Sequence, residues 1–418
     1  MACHDGLPMS GPRSPMPIGS TRWIITLAAM TTVSALSIDM SLPAQPTLAR
    51  VFGVENATAG LTLSVFMLGF AIAQLIVGYL SDAWGRRRVL IAGLGLFVVA
   101  AIACSLAPSI EVLLVCRTLQ GIGGSTAPVL ARAMVRDTQP AQQAARLLST
   151  MLAALAIAPM VAPSIGSVLL STLGWRAIFA MLALWGFTLL LVAHRTLSET
   201  HPVERRLVAT PMGLVRGFRT FFTTPGTRLP MLIGVVSFAG QFAYIADSPF
   251  VYMEGFRVSE TTFSILFGAT ALALMAGSIL GGRMLRAGRS PGAMVVIGTG
   301  MLVIGGIAVT IGTRADLGIA GFLAPMIIYF FGVGLAQPSA IALALEPVPQ
   351  IAGTASAAIG FLTMITGALA GYGTTKIGGS DPHAFALVVA ITAVVAAGIA
   401  ATTALLRKRR LQKQQLSR

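Results

Sequence analysis

The sequence predicts an all-α polytopic membrane protein of twelve transmembrane helices in two six-helix halves, with both termini cytoplasmic. Three observations predict it. Hydrophobic residues fill 55% of the 418 positions and charged residues only 10%, against about 25% charged in an ordinary soluble domain. A surface with so few charges is solvated largely by lipid. The mean hydropathy of +0.83 suits twelve spans of about 20 apolar residues, which take roughly 240 positions and leave short loops. The 29 lysines and arginines fall almost entirely into alternate loops, as expected when basic residues collect on the cytoplasmic side.

In chain order, residues 1–22 are polar and rich in Pro and Gly, with no short apolar stretch before a cleavage site. They read as a cytoplasmic tail rather than a removable signal. The N-terminal half, 23–194, holds spans at 23–44, 57–80, 89–108, 111–134, 147–171 and 175–194. Residues 195–228 are the one long hydrophilic break, carrying Arg195, Glu199, Arg216 and Arg219 among other charges, and read as a central cytoplasmic loop. The C-terminal half, 229–406, holds spans at 229–253, 260–282, 292–313, 317–343, 351–375 and 383–406. A basic cytoplasmic tail, 407–418, follows. Some runs exceed 20 residues, which permits tilt but sets no angle.

With the N-terminus inside, only Arg50, Arg176, Arg257, Arg314 and Lys376 fall in outer loops, and Arg117 lies within a span. The net charge of +15 is therefore a topology signal and not a nucleic-acid footprint. Cys3, Cys104 and Cys116 are too few and too scattered for a disulfide framework. The halves echo each other: Gly78-Tyr-Leu-Ser-Asp82-Ala-Trp-Gly85-Arg86 follows the second span, and Gly281-Gly-Arg-Met-Leu285-Arg-Ala-Gly288-Arg289 follows the eighth. Internally repeated bundles with a site between the repeats are the build of many secondary transporters.

No Gly-x4-Gly-Lys-Ser/Thr loop occurs, so nothing suggests direct use of ATP. The four histidines (His4, His194, His201, His383) lie at or beyond span ends with no metal-binding spacing, and no metal or cofactor is expected. Charges inside spans are the informative exceptions, because each costs about 2.5–3.5 kcal/mol at mid-bilayer. Asp39, Arg117 and Asp247 stand out, each five or six residues from the outer end of its predicted span. An Asp whose guanidinium partner can be drawn away is a sensible proton carrier. The alternative is a static ion pair, or a carboxylate bonded to a broken helix end beside Pro43 or Pro249. Asp247, Gln120 and Ser41 are further candidates for a substrate contact or a second proton site.

These residues carry a resemblance. Gly78-Tyr-Leu-Ser-Asp82-Ala-Trp-Gly85-Arg86-Arg87-Arg88 resembles the loop signature of the major facilitator superfamily. Arg117-Thr-Leu-Gln120-Gly121-Ile-Gly123 is similar to the fourth-helix motif of its drug:proton antiporters. Ala158-Pro159-Met-Val-Ala-Pro163-Ser-Ile-Gly166 resembles their fifth-helix motif, with Ala162 and Ser167 where Gly is usual. Asp39-Met-Ser41-Leu-Pro43-Ala44-Gln-Pro46 is similar to the first-helix motif of the bicyclomycin and chloramphenicol resistance branch, with Ser41 in place of Tyr. Ser248-Pro249-Phe250-Val251 and Ala352-Gly353-Thr354-Ala355-Ser356-Ala357 also resemble that branch.

The resemblance covers nearly the whole chain. It implies the major facilitator fold, a bacterial inner-membrane location, and export of a small apolar or amphipathic drug in exchange for protons. The proton gradient would be the energy source and a monomer the working unit, in contact with membrane lipid. Asp39 would be the proton site and Arg117 its modulating partner. Gly78, Asp82, Gly85, Arg86 and Arg87, with Asp137 at the end of the fourth helix, would latch the outward-open state. Pro159, Pro163 and Gly166 would bend the fifth helix where it lines the cavity. Bottom-up, Gly78 and Gly85 would permit a tight turn, and Arg86 to Arg88 would also fix topology. An exporter of a metabolite such as an amino acid or sugar is the alternative. A membrane enzyme lacks a nucleophile–base pair, and proton-driven import is disfavoured by the fifth-helix motif.

Overall fold

The computed structural model describes residues 16–202 and 211–416, and among these the chain is helical throughout, with no strand. The first half comprises α1 (Thr21–Phe52), α2 (Asn56–Trp84), α3 (Arg86–Ser105), α4 (Ile110–Thr138), α5 (Ala141–Leu173) and α6 (Trp175–Thr196). A short connecting helix, α7 (Pro211–Thr223), leads to the second half. That half comprises α8 (Arg228–Phe250), α9 (Glu260–Arg286), α10 (Pro291–Arg314), α11 (Gly318–Leu345), α12 (Ala352–Gly378) and α13 (Pro382–Leu416). Serine side chains set several starts. Ser20, Ser109, Ser259 and Ser290 accept from the backbone N–H three residues on, satisfying a donor that the first turn leaves free.

Among the described residues, eleven helices are long and apolar enough to cross a membrane. The twelfth predicted span, α4, is as long as α2, but Glu111, Arg117, Gln120 and Arg132 lower its hydropathy. It packs between α2 and α3 at small residues: Gly69 of α2 lies on Thr118 O, and Gly121 and Gly123 of α4 lie on Phe66 O and the Phe97 backbone. A Cβ at these positions would clash, so glycine lets the helix axes close up.

Two boundaries differ from the sequence reading. α1 does not stop at residue 44 but continues to Phe52, where Gly53 ends it at φ +64°. The polar Gln45-Pro-Thr stretch hid this last segment, which places Arg50 in the final turn rather than in a loop. The central loop, 195–228, contains α7, whose Phe218, Phe221 and Phe222 pack on Met231, Val235, Ala355 and Ile359. Arg216 and Arg219 remain exposed on its other side. An amphipathic helix flanked by charge has low mean hydropathy even when one face is buried.

The two halves have largely separate cores. Leu27, Leu90, Phe97, Leu130 and Phe179 centre the first, and Phe242, Phe263, Phe322, Tyr329 and Phe385 the second. We call the side where α1 begins and α6 ends the terminal face. The halves are clasped toward the opposite face. There Asn56 Nδ2 donates to Glu254 Oε2 at 2.6 Å, and Lys376 Nζ meets Glu55 Oε2 at 2.6 Å. Ser167 Oγ donates to Glu260 O at 2.8 Å and contacts Ser264 Oγ at 2.6 Å. Deeper in, Ser64 Oγ donates to Ala368 O at 3.0 Å, and Gly360 lies against the Gln74 amide. Nearer the terminal face, Gly78 of α2 and Gly353 of α12 have open space around them. Among the described residues no hydrogen bond or ion pair joins the two halves on that side.

Candidate functional site

The centre of the site is a break in α1. A proline at position i cannot donate to the carbonyl at i−4, so Pro43 leaves Asp39 O, and Pro46 leaves Leu42 O, without the usual donor. The α-helix accordingly stops at Asp39, passes through a 3₁₀ turn at Leu42–Ala44, and resumes at Gln45. α5 fits into this break: Gly166 lies directly on Met40 O, with no room for a side-chain carbon between them. Here the fifth-helix motif meets the first-helix motif.

Asp39 is buried, 4% exposed, and among the described residues its carboxylate has no hydrogen-bond or ion-pair partner. Arg117 is completely buried but well bonded. Its Nε donates to Thr62 O at 3.1 Å, Nη1 to Gln120 Oε1 at 2.7 Å and Nη2 to Ser37 O at 3.2 Å. Its guanidinium carbon also stands 4.6 Å from the Phe66 ring centre and 5.6 Å from that of Phe179, a cation–π arrangement. Gln45 and Thr62 close the ring, with Gln45 Nε2 at 3.0 Å from Thr62 Oγ1. The guanidinium thus binds α1 through a carbonyl two residues before Asp39, and the Arg117–Asp39 ion pair weighed from sequence is not formed. Carbonyl dipoles and aromatic faces offset the cost of burying Arg117 and leave the acid unneutralised.

The other candidates are placed as follows. Ser41 is buried and its hydroxyl folds back onto Ile38 O at 2.8 Å, as serines in apolar helices commonly do. Gln120 holds Arg117 with its oxygen, while its Nε2 has no partner among the described residues. Asp247, in α8, is fully buried rather than bathed by interfacial water. Thr375 of α12 interacts with it but donates its hydroxyl to Gly371 O at 2.9 Å. Both carboxylate oxygens of Asp247 therefore lack a hydrogen-bond donor among the described residues; Pro249 frees only an acceptor, Ile245 O, which Ser248 Oγ meets at 3.5 Å. Two residues beyond Pro249, α8 passes into a π-helical turn, Val251–Gly255.

α5 runs unbroken from Ala141 to Leu173 through Pro159 and Pro163, although each proline removes one bond of the ladder. The helical assignment is broken in α1, where proline coincides with a 3₁₀ turn.

The loop motif forms a cluster of charges at the terminal face. Arg86 Nε bonds Asp137 Oδ2 at 2.9 Å, and its Nη1 reaches Asp82 Oδ1 and Ser81 Oγ, both at 2.5 Å. Arg87 does not join Asp137. It donates to His194 O at 2.5 Å, tying α3 to the end of α6. Gly85 turns the chain at φ +94°, a conformation that disfavours a side chain. Gly78 is not at the turn but inside α2, where an added methyl would meet nothing. Sequence reasoning missed Glu199, whose two oxygens accept from Arg86 N at 2.8 Å and Arg87 N at 3.2 Å. It caps α3 from 113 residues away in sequence, a distance that hides such a pairing in a single chain. Gln45 lay within a quoted motif, but Thr62 had no signal beyond being polar in an apolar run. In the second half, Gly288 repeats the turn at φ +86°, but Leu285 replaces Asp82, and Arg283, Arg286 and Arg289 are exposed with no paired carboxylate among the described residues.

The sequence profile of the Major Facilitator Superfamily matches residues 27–371. The chain belongs to the Major Facilitator Superfamily. Within the superfamily it is 32% identical to a chloramphenicol resistance protein of Pseudomonas aeruginosa, over 80% of this chain and 79% of that one. It is 27% identical to a bicyclomycin resistance protein homolog of Haemophilus influenzae, over 84% of this chain and 87% of that one. The branch resemblance read from the motifs holds. A bacterial homolog of the human lysosomal transporter Spinster has the same fold, with a TM-score of 0.75 at 15% identity over 92% of this chain and 98% of that one. As a superfamily member the protein is a multi-pass membrane transporter and not an enzyme.

Proposed function

We propose that the protein exports small apolar or amphipathic drug-like compounds across the bacterial inner membrane in exchange for protons. The observation that carries this reading is the Asp39 carboxylate: buried at the break in α1 and unpaired, two residues along the helix from the carbonyl of Ser37 that holds the buried Arg117 guanidinium. A buried charge is felt strongly because little solvent screens it. Arg117 steadies the charge on Asp39 when the proton leaves, and water or substrate entering the cavity changes that balance. The break in α1 supplies the mobility, since a helix without its local ladder bonds bends at low cost.

The remaining parts of the proposal follow from the same fold. The two halves rock about the contact of α2 with α12 to expose the site to each side in turn. The bias of basic residues favours a cytoplasmic terminal face, so the clasp of Glu55, Asn56, Glu254 and Lys376 closes the outer side. The proton gradient is the energy source, no cofactor or metal takes part, and one chain is the working unit. The names of the relatives favour antibiotics as substrates, and the apolar composition of the spans suits few polar contacts and broad specificity.

The test is Asp39→Asn in everted vesicles. Asn keeps a hydrogen-bonding group but cannot take up or release a proton, so substrate-driven proton movement stops while insertion and folding persist. A variant that still moves protons when drug is added removes Asp39 from the role. A growth-inhibition panel in a host lacking its major exporters identifies the compounds, and no protection against any of them would favour a metabolite as cargo.

A further inference from the structure

A groove of about 710 Å³ runs down the outside of the first half, between α2 and α3, with α4 as its back wall. It exists because α4 is recessed. Gly123 of α4 lies on the Phe97 backbone and Gly93 lies on Thr126, while Ala73, Ala92 and Gly93 leave the space in front of α4 empty. Ile72, Ile76 and Leu80 form one apolar wall and Leu96 part of the other. At the terminal face the mouth is framed by Trp84, 60% exposed, and Arg88.

Three features define the occupant. From Ile72 to Trp84 the groove follows about 18 Å of helix at 1.5 Å per residue, close to the roughly 15 Å depth of one leaflet's hydrocarbon. Tryptophan at the mouth marks headgroup level, where its amphipathic ring prefers to sit. Arg88 is exposed and has no hydrogen-bond or ion-pair partner among the described residues. The acids nearby are already committed, Asp82 and Asp137 to Arg86 and Glu199 to backbone N–H groups. A free guanidinium above an acyl-length apolar groove is complementary to an anionic headgroup carrying a chain.

We propose that this groove is a binding site for one anionic phospholipid of the leaflet on the terminal face, with an acyl chain along α2 and α3 and its phosphate on Arg88. The bound headgroup stands beside Gly85 and the first turn of α3, so the lipid braces the loop that Arg86 and Glu199 hold from the protein side.

The experiment titrates the purified protein with phosphatidylglycerol and, separately, with phosphatidylcholine of the same acyl chains, counting bound lipids by native mass spectrometry. The wild type retains one phosphatidylglycerol in preference to phosphatidylcholine. Arg88→Gln weakens phosphatidylglycerol binding about fivefold, the equivalent of the ~1 kcal/mol that one basic residue contributes near an anionic headgroup, and leaves phosphatidylcholine unchanged. Ala92→Phe, at an exposed position within the groove, weakens both. Unfolding midpoints of both variants confirm that they remain folded. Equal retention of the two lipids by the wild type, or unchanged binding by either variant, overturns the proposal.

Discussion

Asp39 and Asp247 share a local pattern, an Asp shortly before a proline in the first helix of each half, yet their surroundings separate them. Asp39 lies at the break in α1, two residues beyond the Ser37 carbonyl that Arg117 holds, whereas Asp247 is sealed against α12 with neither carboxylate oxygen hydrogen-bonded. A buried polar group without partners contributes no bond to lose. Asp247→Asn should therefore leave the unfolding midpoint in detergent unchanged or higher, and a fall equivalent to more than about 1 kcal/mol would reveal a donor. If Asp247 is uncovered when the opposite face opens, the same change lowers resistance to cationic drugs more than to neutral ones in a growth assay. Arg117→Lys keeps the charge but not the fork. A single ammonium cannot serve Thr62 O, Gln120 and Ser37 O together, so the variant should lose about 1–3 kcal/mol in chemical unfolding and uncouple proton movement from drug movement.

At the scale of helices, glycines that looked equivalent in the motifs have different tasks. Gly166→Ala drives a methyl into Met40 O, which must push α5 off the break in α1, and vesicle transport should fall severely. Gly78→Ala places a methyl in open space inside α2 and should stabilise by about 0.5–1 kcal/mol with transport retained. Gly85→Ala carries the cost of φ +94° and should slow turnover while drug affinity in detergent stays within a few-fold. Glu199→Gln removes the carboxylate from the N-terminus of α3, worth about 1 kcal/mol as a cap, and should behave like Gly85→Ala in the same two assays. These contrasts show what was legible in the sequence. Arg86–Asp137 could be read because both residues stand at predicted helix ends. The Glu199 cap and the Gln45–Thr62 link could not, because they depend on which faces meet after the helices pack. Helix boundaries were visible where a serine or glycine marks them and invisible at Gln45–Phe52, where hydropathy falls but the helix does not end.

For the molecule as a whole, twelve spans and two halves followed from hydropathy and charge distribution, because the bilayer admits few alternatives to a helix. The direction of opening did not, since it is decided by contacts between halves rather than within spans. Replacing both Asn56 and Glu254 with cysteine and joining them with a reducible bis-methanethiosulfonate crosslinker should hold the opposite face shut and stop transport until reductant is added. Cys104 and Cys116 are buried and do not compete. The neighbouring pair is sensitive to pH: the bond and charge from Lys376 hold the Glu55 carboxyl below its usual range. Its contribution is present above the ordinary Glu value and lost as pH falls through the lowered one, so acid at that face loosens the clasp. Fluorescence transfer between labels on the two halves should show this loosening, and Lys376→Gln should abolish it.

Ser167 stands where glycine is usual in the fifth-helix motif, and its hydroxyl meets both Glu260 O and Ser264 across the closed face. Opening breaks contacts that a glycine would never have made. Ser264 Oγ also donates to Glu260 O, so the two hydroxyl hydrogens make two bonds and one survives without Ser167; at about 1 kcal/mol net, the dwell time in the closed state lengthens roughly fivefold, at tenfold for every 1.36 kcal/mol. The substitution then acts as a timer. It sets how often the cycle runs, so Ser167→Gly should yield a faster transporter whose rate climbs less steeply with temperature.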